Sequence, residues 1–292
     1  MDIQPAMVFV TGATGFTGPY VVEALLAAGE SVRCLVRETS QADFLVQRNI
    51  PIVEGDLERP DGLVEAIQGA DALVSVSPIR FAPSLVAACQ QAGVTRGVFL
   101  SSTWRFSKVR TPDVEAVSSG EEAVEASGME ATILRPTMIY GPGNDRNLSL
   151  LRDYLGKRSI LPIFGSGENL VQPVYVTDVA DAVVAALLRS GTIGQVYELA
   201  GGEPLTYTAM VDTLSHLMGR TVVKVYVPLF VAVPLIGLYG KLTRNPAVRV
   251  DQVKRMAEDR AFDISRAEKD LGFAPKSFSV GMREAMQING EL

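Results

Sequence analysis

The chain of 292 residues is long enough for about two compact units, and its 47% apolar and 21% charged content excludes a disordered or fibrous protein. A formal net charge of −6 with no Lys/Arg run excludes the basic footprint of a nucleic-acid binder. Cys34 and Cys89 lie in apolar stretches without a Cys-x-x-Cys pair, so neither a disulfide framework nor a zinc site is expected, and both read as core residues. Residues 1–6 lack a basic segment followed by an apolar one, so no signal peptide is expected and a cytoplasmic setting is the default. His216 is the only histidine; without a Gly-x-Ser-x-Gly motif it reads as an ordinary helix residue.

From residue 7 to 134 short apolar runs alternate with amphipathic stretches, as βαβ units require. Strands are expected at 7–11, 31–36, 51–54, 72–76, 97–101 and 131–134. Their near-continuous Val, Ile, Leu and Phe content suits a parallel sheet covered on both faces. Helices fit between them at 18–28, 41–48, 61–68, 83–92 and 113–127, several ending at a glycine that fills the left-handed cap position. Further on, 173–176 reads as a strand returning to the sheet, 178–189 as a helix and 195–199 as a last strand. Helical patterns follow at 206–218, 247–260 and 265–271. Residues 225–238 carry no charge but contain Pro228 and Pro234, and the apolar run is too short for a span. A buried helix or an interface patch is expected there ahead of a membrane-surface contact helped by Lys241 and Arg244.

The strongest local signal is Gly12-Ala13-Thr14-Gly15-Phe16-Thr17-Gly18, set between the first strand and the first helix. Glycines there allow a tight turn and close backbone approach, and the amides of the helix N-terminus attract a pyrophosphate. Gly12, Thr14, Gly15, Phe16 and Gly18 are therefore expected to hold the phosphates of a dinucleotide. The second strand ends at Arg37 rather than at the acidic residue common in NAD-selective proteins, so NADP is favoured over NAD. Glu38 beside it can pair with Arg37 or take the acidic role. Asp56 and Leu57, after the third strand, are candidates for the adenosine side, with a turn role for Asp56 as the alternative. Ser77 and Pro136 complete the cofactor set.

Together with this loop, Gly55-Asp56-Leu57, Ser101-Ser102, Leu134-Arg135-Pro136 and Ile139-Tyr140-Gly141-Pro142-Gly143 resemble the extended and atypical short-chain dehydrogenase/reductases. Val174-Tyr175-Val176-Thr177-Asp178 and Phe262-Asp263-Ile264-Ser265-Arg266-Ala267 extend the likeness over nearly the whole chain, toward both nucleotide-sugar epimerases and the complex I accessory-subunit-like group. The resemblance implies an α/β fold, a doubly wound parallel Rossmann sheet with a smaller, mostly helical C-terminal substrate lobe. On this division residues 1–139 and 172–202 form the dinucleotide unit, and 140–171 with 203–292 form the lobe.

The family's chemistry uses a serine, a tyrosine and a lysine four residues after it. Ser101 or Ser102 suits the first role. Counting back from Gly120-Glu121-Glu122 puts Asp113 at the tyrosine position and Val117 at the lysine position, and no Tyr-x-x-x-Lys occurs anywhere in the chain. Lys108 and Arg110 as cations, Asp113 as an acid/base, and Tyr140 or Tyr175 as a phenol are the substitutes at hand; Trp104 is a candidate for the nicotinamide side of the cleft. Leu170-Val171-Gln172 lacks the arginine that nucleotide-sugar enzymes commonly place there, while Asn144, Arg146 and Asn147 remain as polar contacts for the lobe. The reading that follows is an NAD(P)(H)-dependent oxidoreductase acting on a small organic substrate. The alternatives are a non-catalytic NADP-binding sensor or assembly protein, and a nucleotide-sugar epimerase or dehydratase. A small-molecule partner is expected, and helices 83–92 and 113–127 offer faces for a homodimer.

Overall fold

A computed structural model describes residues 3, 5–243 and 248–291. Arg244 and Ala247, with Met1, Asp2 and Gln4 of the opening segment, lie outside the described residues. In chain order the first half runs β1 (Val8–Thr11), α1 (Gly18–Ala27), β2 (Val32–Val36), α2 (Asp43–Gln47), β3 (Ile52–Glu54), α3 (Leu63–Ile67), β4 (Ala72–Ser75), α4 (Ala82–Ala92), β5 (Arg96–Leu100), α5 (Pro112–Ala126) and β6 (Glu130–Pro136). The second half runs β7 (Ile139–Tyr140), α6 (Leu148–Lys157), β8 (Ile160–Phe164), β9 (Leu170–Val171), β10 (Val174–Tyr175), α7 (Val176–Leu188), β11 (Val196–Leu199), β12 (Leu205–Thr206) and α8 (Tyr207–Leu217). It ends with β13 (Val223–Val227), α9 (Leu229–Leu242), α10 (Val250–Arg255), α11 (Ser265–Leu271) and α12 (Phe278–Ile288).

Seven strands form one parallel sheet in the order β11-β6-β5-β4-β1-β2-β3. Its strands bury apolar side chains on both faces. Val8, Val10, Cys34 and Val98 pack under α1 and α7, whereas Phe9, Leu73, Phe99 and Ile133 pack under α3 and α4. The chain winds outward from β1 through β2 to β3, then returns to β4 on the other side of β1. Strand order therefore reverses between β1 and β4, and the crevice beyond their carboxyl ends is where such sheets bind ligands. Thr11, Ser75 and Ser77 join hydroxyls at that point, with Thr11 Oγ1 2.9 Å from Ser77 Oγ.

The second core belongs to the lobe. Tyr140 stacks between Tyr175 and Phe278, with ring centroids 5.4 and 5.3 Å away, and Leu155, Ile163, Met210 and Met282 close around them. The chain departs from the sequence expectation in several places. Residues 174–175 pair with β7 outside the main sheet, because helix α7 already begins at Val176. Two unexpected strands, β8 and β13, pair in parallel on the lobe. The helix expected at 247–260 is described only as Val250–Arg255. Ala267, Leu271 and Phe273 pack into the core beneath the main sheet, although the sequence division leaves them with the lobe. The apolar run near 230 forms an exposed helix rather than a buried one.

Candidate active site

The glycine loop tolerates no side chain at two of its positions. A Cβ on Gly12, whose φ is +78°, would lie 2.5 Å from Ser77 N, and one on Gly18 would lie 2.3 Å from Gly12 O. Gly15 N donates to Gly12 O at 3.0 Å and closes the turn. Helix α1 then starts with Thr17 at its N-cap, and the Thr17 side chain accepts no bond from the first-turn amides. Gly18 N is turned to Gly15 O and Pro19 has no N–H, so the cradle that a diphosphate needs rests on the remaining main-chain amides of the turn, such as those of Thr14 and Phe16, together with the helix dipole. The loop thus fits a dinucleotide by the space it leaves and by the donors it presents.

A cavity of about 430 Å³ opens from this loop along the ends of β1–β3, lined by Gly12, Thr14, Gly15, Arg37, Asp56 and Leu57 among others. Arg37 is exposed at its rim and makes no ion pair or side-chain hydrogen bond among the described residues. Glu38 does not line the cavity. Asp56 Oδ1 accepts Glu58 N at 3.0 Å, so one oxygen fixes the turn while the residue still faces the cavity. Leu35, which sequence reasoning missed, forms part of the wall. Ser77 lines this cavity and also its neighbour, a space of about 330 Å³ beside Thr17, Ser101, Ser102, Asp113, Val117 and Pro136. A third space of about 350 Å³ shares Thr17, Ser102, Trp104 and Ile139 and continues toward the lobe past Phe16, Gln172 and Arg260. One trough therefore runs from the adenosine end to the lobe.

The two serines face different partners. Ser101 Oγ donates to Glu121 Oε1. Glu121, 0% exposed on α5, is held by Arg135, which also bonds Glu198 at 3.1 Å. Burial opposes the charge of Arg135, but its bonds to Glu121 and Glu198 outweigh that and raise its pKa. Ser102 Oγ instead accepts the Trp104 N–H at 3.2 Å, which leaves its own proton free. Asp113 and Val117, one helical turn apart on α5, both line the trough where they meet the serines. Trp104 lies between both cavities and under Arg255, whose guanidinium carbon is 4.6 Å from its ring centroid.

Three of the expected catalytic groups stand elsewhere. Tyr140 is 0% exposed, donates to Phe278 O at 3.4 Å, and has its phenol pushed far above the ordinary value by burial. A phenol so enclosed neither meets a substrate nor ionises near neutral pH. Tyr175 is buried and shifted in the same direction for the same reason. Lys108 is exposed in the loop after β5; its main-chain N–H donates to Glu258 Oε1 at 2.7 Å, and it lines a neighbouring cavity instead of the trough. The Glu121–Arg135 pair, Gln172 and Arg260 were not anticipated. Gln172 joins the loop after β11 to the C-terminal segment, donating to Gly201 O at 2.7 Å and accepting from Phe262 N at 2.9 Å. Arg260 donates its main-chain N–H to Leu170 O at 2.8 Å, and burial lowers its pKa.

The chain that carries this strand, glycine turn and helix N-terminus at the switch point, and the serine pair at the end of β5, matches the model of the NmrA-like family over residues 4–269. The chain belongs to the NmrA-like family. It is a member of the extended and atypical short-chain dehydrogenase/reductases, with their NAD(P)-binding Rossmann fold. This NmrA-like protein is 30% identical over 261 residues to a ceramide reductase of Caulobacter vibrioides, covering 83% of this chain and 81% of that protein. It is 28% identical to a putative dihydroflavonol 4-reductase of Synechocystis, covering 95% and 93% of the two chains. Its fold matches a UDP-glucuronic acid 4-epimerase from Bacillus cereus solved with NAD, at a TM-score of 0.77 and 18% identity over 98% and 99% of the chains.

Proposed function

We propose that the protein is an NADP(H)-dependent reductase that converts the carbonyl of a small, largely apolar organic substrate to an alcohol. The observation that carries this reading is the trough itself: the glycine cradle, an unpaired Arg37 and the uncommitted hydroxyl of Ser102 open into one space. Arg37 suits the 2′-phosphate of NADP, since a guanidinium binds phosphate bidentately and Glu38 stays outside the cavity. A reduced nicotinamide bound in the trough supplies the hydride. Ser102 donates its proton as a hydrogen bond to the carbonyl oxygen and stabilises the negative charge that develops there. Ser101 does not serve in this way, because its proton is committed to Glu121.

Asp113 and Val117 stand at the family's tyrosine and lysine positions, so neither a phenol nor an ammonium supplies the final proton. The alkoxide oxygen takes it from water entering the trough, with the Asp113 carboxylate orienting that water, and the hydroxide left behind is neutralised by bulk solvent. Phe16, Trp104, Met138 and Ile139 give the substrate end apolar walls, and the ceramide and dihydroflavonol reductases among the relatives support reduction as the reaction class. The missing arginine at 170–172 argues against a sugar nucleotide.

The test is NADPH oxidation by the purified protein across a panel of ketones, β-keto esters and quinones, with alcohol product identified by mass spectrometry. Turnover of at least one carbonyl, lost in Ser102→Ala while NADPH still binds, is the expected result. Tight NADPH binding with no oxidation across the panel would overturn catalysis and leave a non-catalytic dinucleotide binder.

A further inference from the structure

Helix α9 is built the wrong way round for a soluble protein. An ordinary surface helix turns its apolar stripe to the core and its charges to water. Here only Ala232 is fully buried, whereas Phe230 is 80%, Leu235 60%, Leu238 58% and Leu242 79% exposed. These residues recur at helical spacing and form one outward stripe, joined by Val231 and Tyr239. The β8–β13 ribbon, which leads into α9, repeats the pattern. Leu161 and Ile163 point into the lobe core, while the alternate positions Ile160, Val223 and Val225 are exposed. Nothing among the described residues covers either face.

The surrounding charge names the partner. Between Asp212 and Asp251 the sequence has five Lys or Arg and no Asp or Glu, in a chain whose net charge is −6. Lys224 is tied to Asp212 and Arg249 to Asp251. Lys157, Arg158, Arg220 and Lys241 have no acidic partner among the described residues and are exposed. Lys157 and Arg158 precede β8, and Arg220 precedes β13, so the parallel pairing brings these cations to the same end of the ribbon. Lys241 lies in the last turn of α9. An apolar stripe with a basic rim is the pattern of a helix lying in a membrane interface. A second copy of the chain would bring like charges together across a two-fold contact, which disfavours it. At 14 residues the helix is about 21 Å long. No helix among the described residues is long and apolar enough to cross a bilayer.

We infer that α9, with the outer face of the β8–β13 ribbon, docks the protein on an anionic lipid surface, the helix lying in the plane of the interface. Phe230, Leu235, Leu238 and Leu242 enter the headgroup–acyl boundary, and Lys241 and the ribbon-end cations contact the anionic headgroups. This inference is independent of the reductase reading, because none of these residues lines the trough.

The test is vesicle flotation of the full chain. Vesicles of equal parts phosphatidylcholine and phosphatidylglycerol are compared with phosphatidylcholine alone. Wild type should float with the mixed vesicles and partition about tenfold less onto the neutral ones, and the triple variant Phe230→Ser, Leu235→Ser, Leu238→Ser should lose about tenfold or more of its binding to the mixed vesicles. Lys241→Glu, a single exposed change, should weaken flotation severalfold and make the remainder less sensitive to salt. NADPH binding and circular dichroism, unchanged in both, verify folding. Wild type remaining unbound with both vesicle types overturns the inference, as does undiminished flotation of the triple variant. Conversion of a dimer to a monomer by the triple variant, without vesicle binding by the wild type, overturns it in favour of a self-contact.

Discussion

Arg135 clasps Glu121 through two parallel hydrogen bonds, Nε to Oε1 at 2.9 Å and Nη2 to Oε2 at 2.7 Å. The carboxylate is wholly buried beside Ser101, so α5, β5 and β6 meet at this ion pair directly behind the trough. Removing one partner of a buried pair leaves an uncompensated charge. Arg135→Ala leaves Glu121 with the Ser101 hydroxyl and with Arg105, 3.4 Å away, in place of the two-pronged clasp, and should lower stability by about 3–5 kcal/mol in urea unfolding. A loss below about 1 kcal/mol, the scale of a solvent-exposed pair, would contradict that role.

The serine pair separates by proton. Ser102→Ala removes the hydroxyl proposed to donate to the substrate oxygen and should lower kcat by ~10²–10³ with NADPH affinity unchanged. Ser101→Ala leaves Arg135 on Glu121 and should cost less than about tenfold, since no charge loses its partner. Steady-state kinetics on both variants with any turned-over carbonyl decides the order; the reverse order would reassign the role to Ser101.

On the proposed reading, Arg37 sets cofactor choice through the 2′-phosphate. Arg37→Ala should weaken NADPH binding by about tenfold to a hundredfold, from ~1.5–3 kcal/mol per charged hydrogen bond, while NADH binding barely changes. Isothermal titration with both cofactors measures this. Equal losses for the two would move Arg37 from the 2′-phosphate to a feature they share.

Asp178, in the first turn of α7, gives a pH signature. Burial raises its pKa, and the contacts with Lys276, whose main-chain N–H reaches Oδ2 at 2.8 Å, only partly oppose that. The folded state therefore holds this proton more tightly than the unfolded chain. Its stabilising contribution is complete below the ordinary carboxylate range and is lost as pH rises through the raised value. Asp178→Asn should gain on the wild type between about pH 3 and about pH 7 in urea melts, because only the wild type must bury a charge at the higher pH. A gap that stays constant or moves the other way would contradict the shift.

The sequence made the sheet readable because a strand covered on both faces has to be apolar along its length. All six runs expected between residues 7 and 134 are strands of the seven-stranded sheet, and the run at 195–199 adds its edge. The glycine turn was readable for a similar reason: a missing Cβ is visible in sequence, and Gly12 and Gly18 have no room for one. The ribbon was harder. Pro162 breaks the strand pattern of β8, and the alternation in Val223–Val227 runs directly into the apolar helix after it. Tyr140 was misjudged because a phenol in a loop motif carries no sign of the burial that Phe278 and Tyr175 impose from far along the chain. Gln172 and Arg260 escaped notice because their meeting depends on a return of the C-terminal segment across about 90 residues. Glu121 did leave a trace, as a carboxylate on the same α5 stripe as Val114, Val117 and Val124.

The proposed chemistry depends on the first strand-to-helix turn holding a nicotinamide dinucleotide across the switch point. Trp104, the only tryptophan, lines the cavity beside Ser101 and Ser102, where the proposed nicotinamide would make it a built-in reporter. The decisive measurement is a low-salt titration of NADPH into the protein, reading Trp104 emission alongside Gly15→Asp, in which a carboxylate faces the pyrophosphate. Saturable quenching with sensitised nicotinamide emission in the wild type, abolished in the variant, is the predicted result. Equal quenching in both proteins, or none in either, would contradict the account.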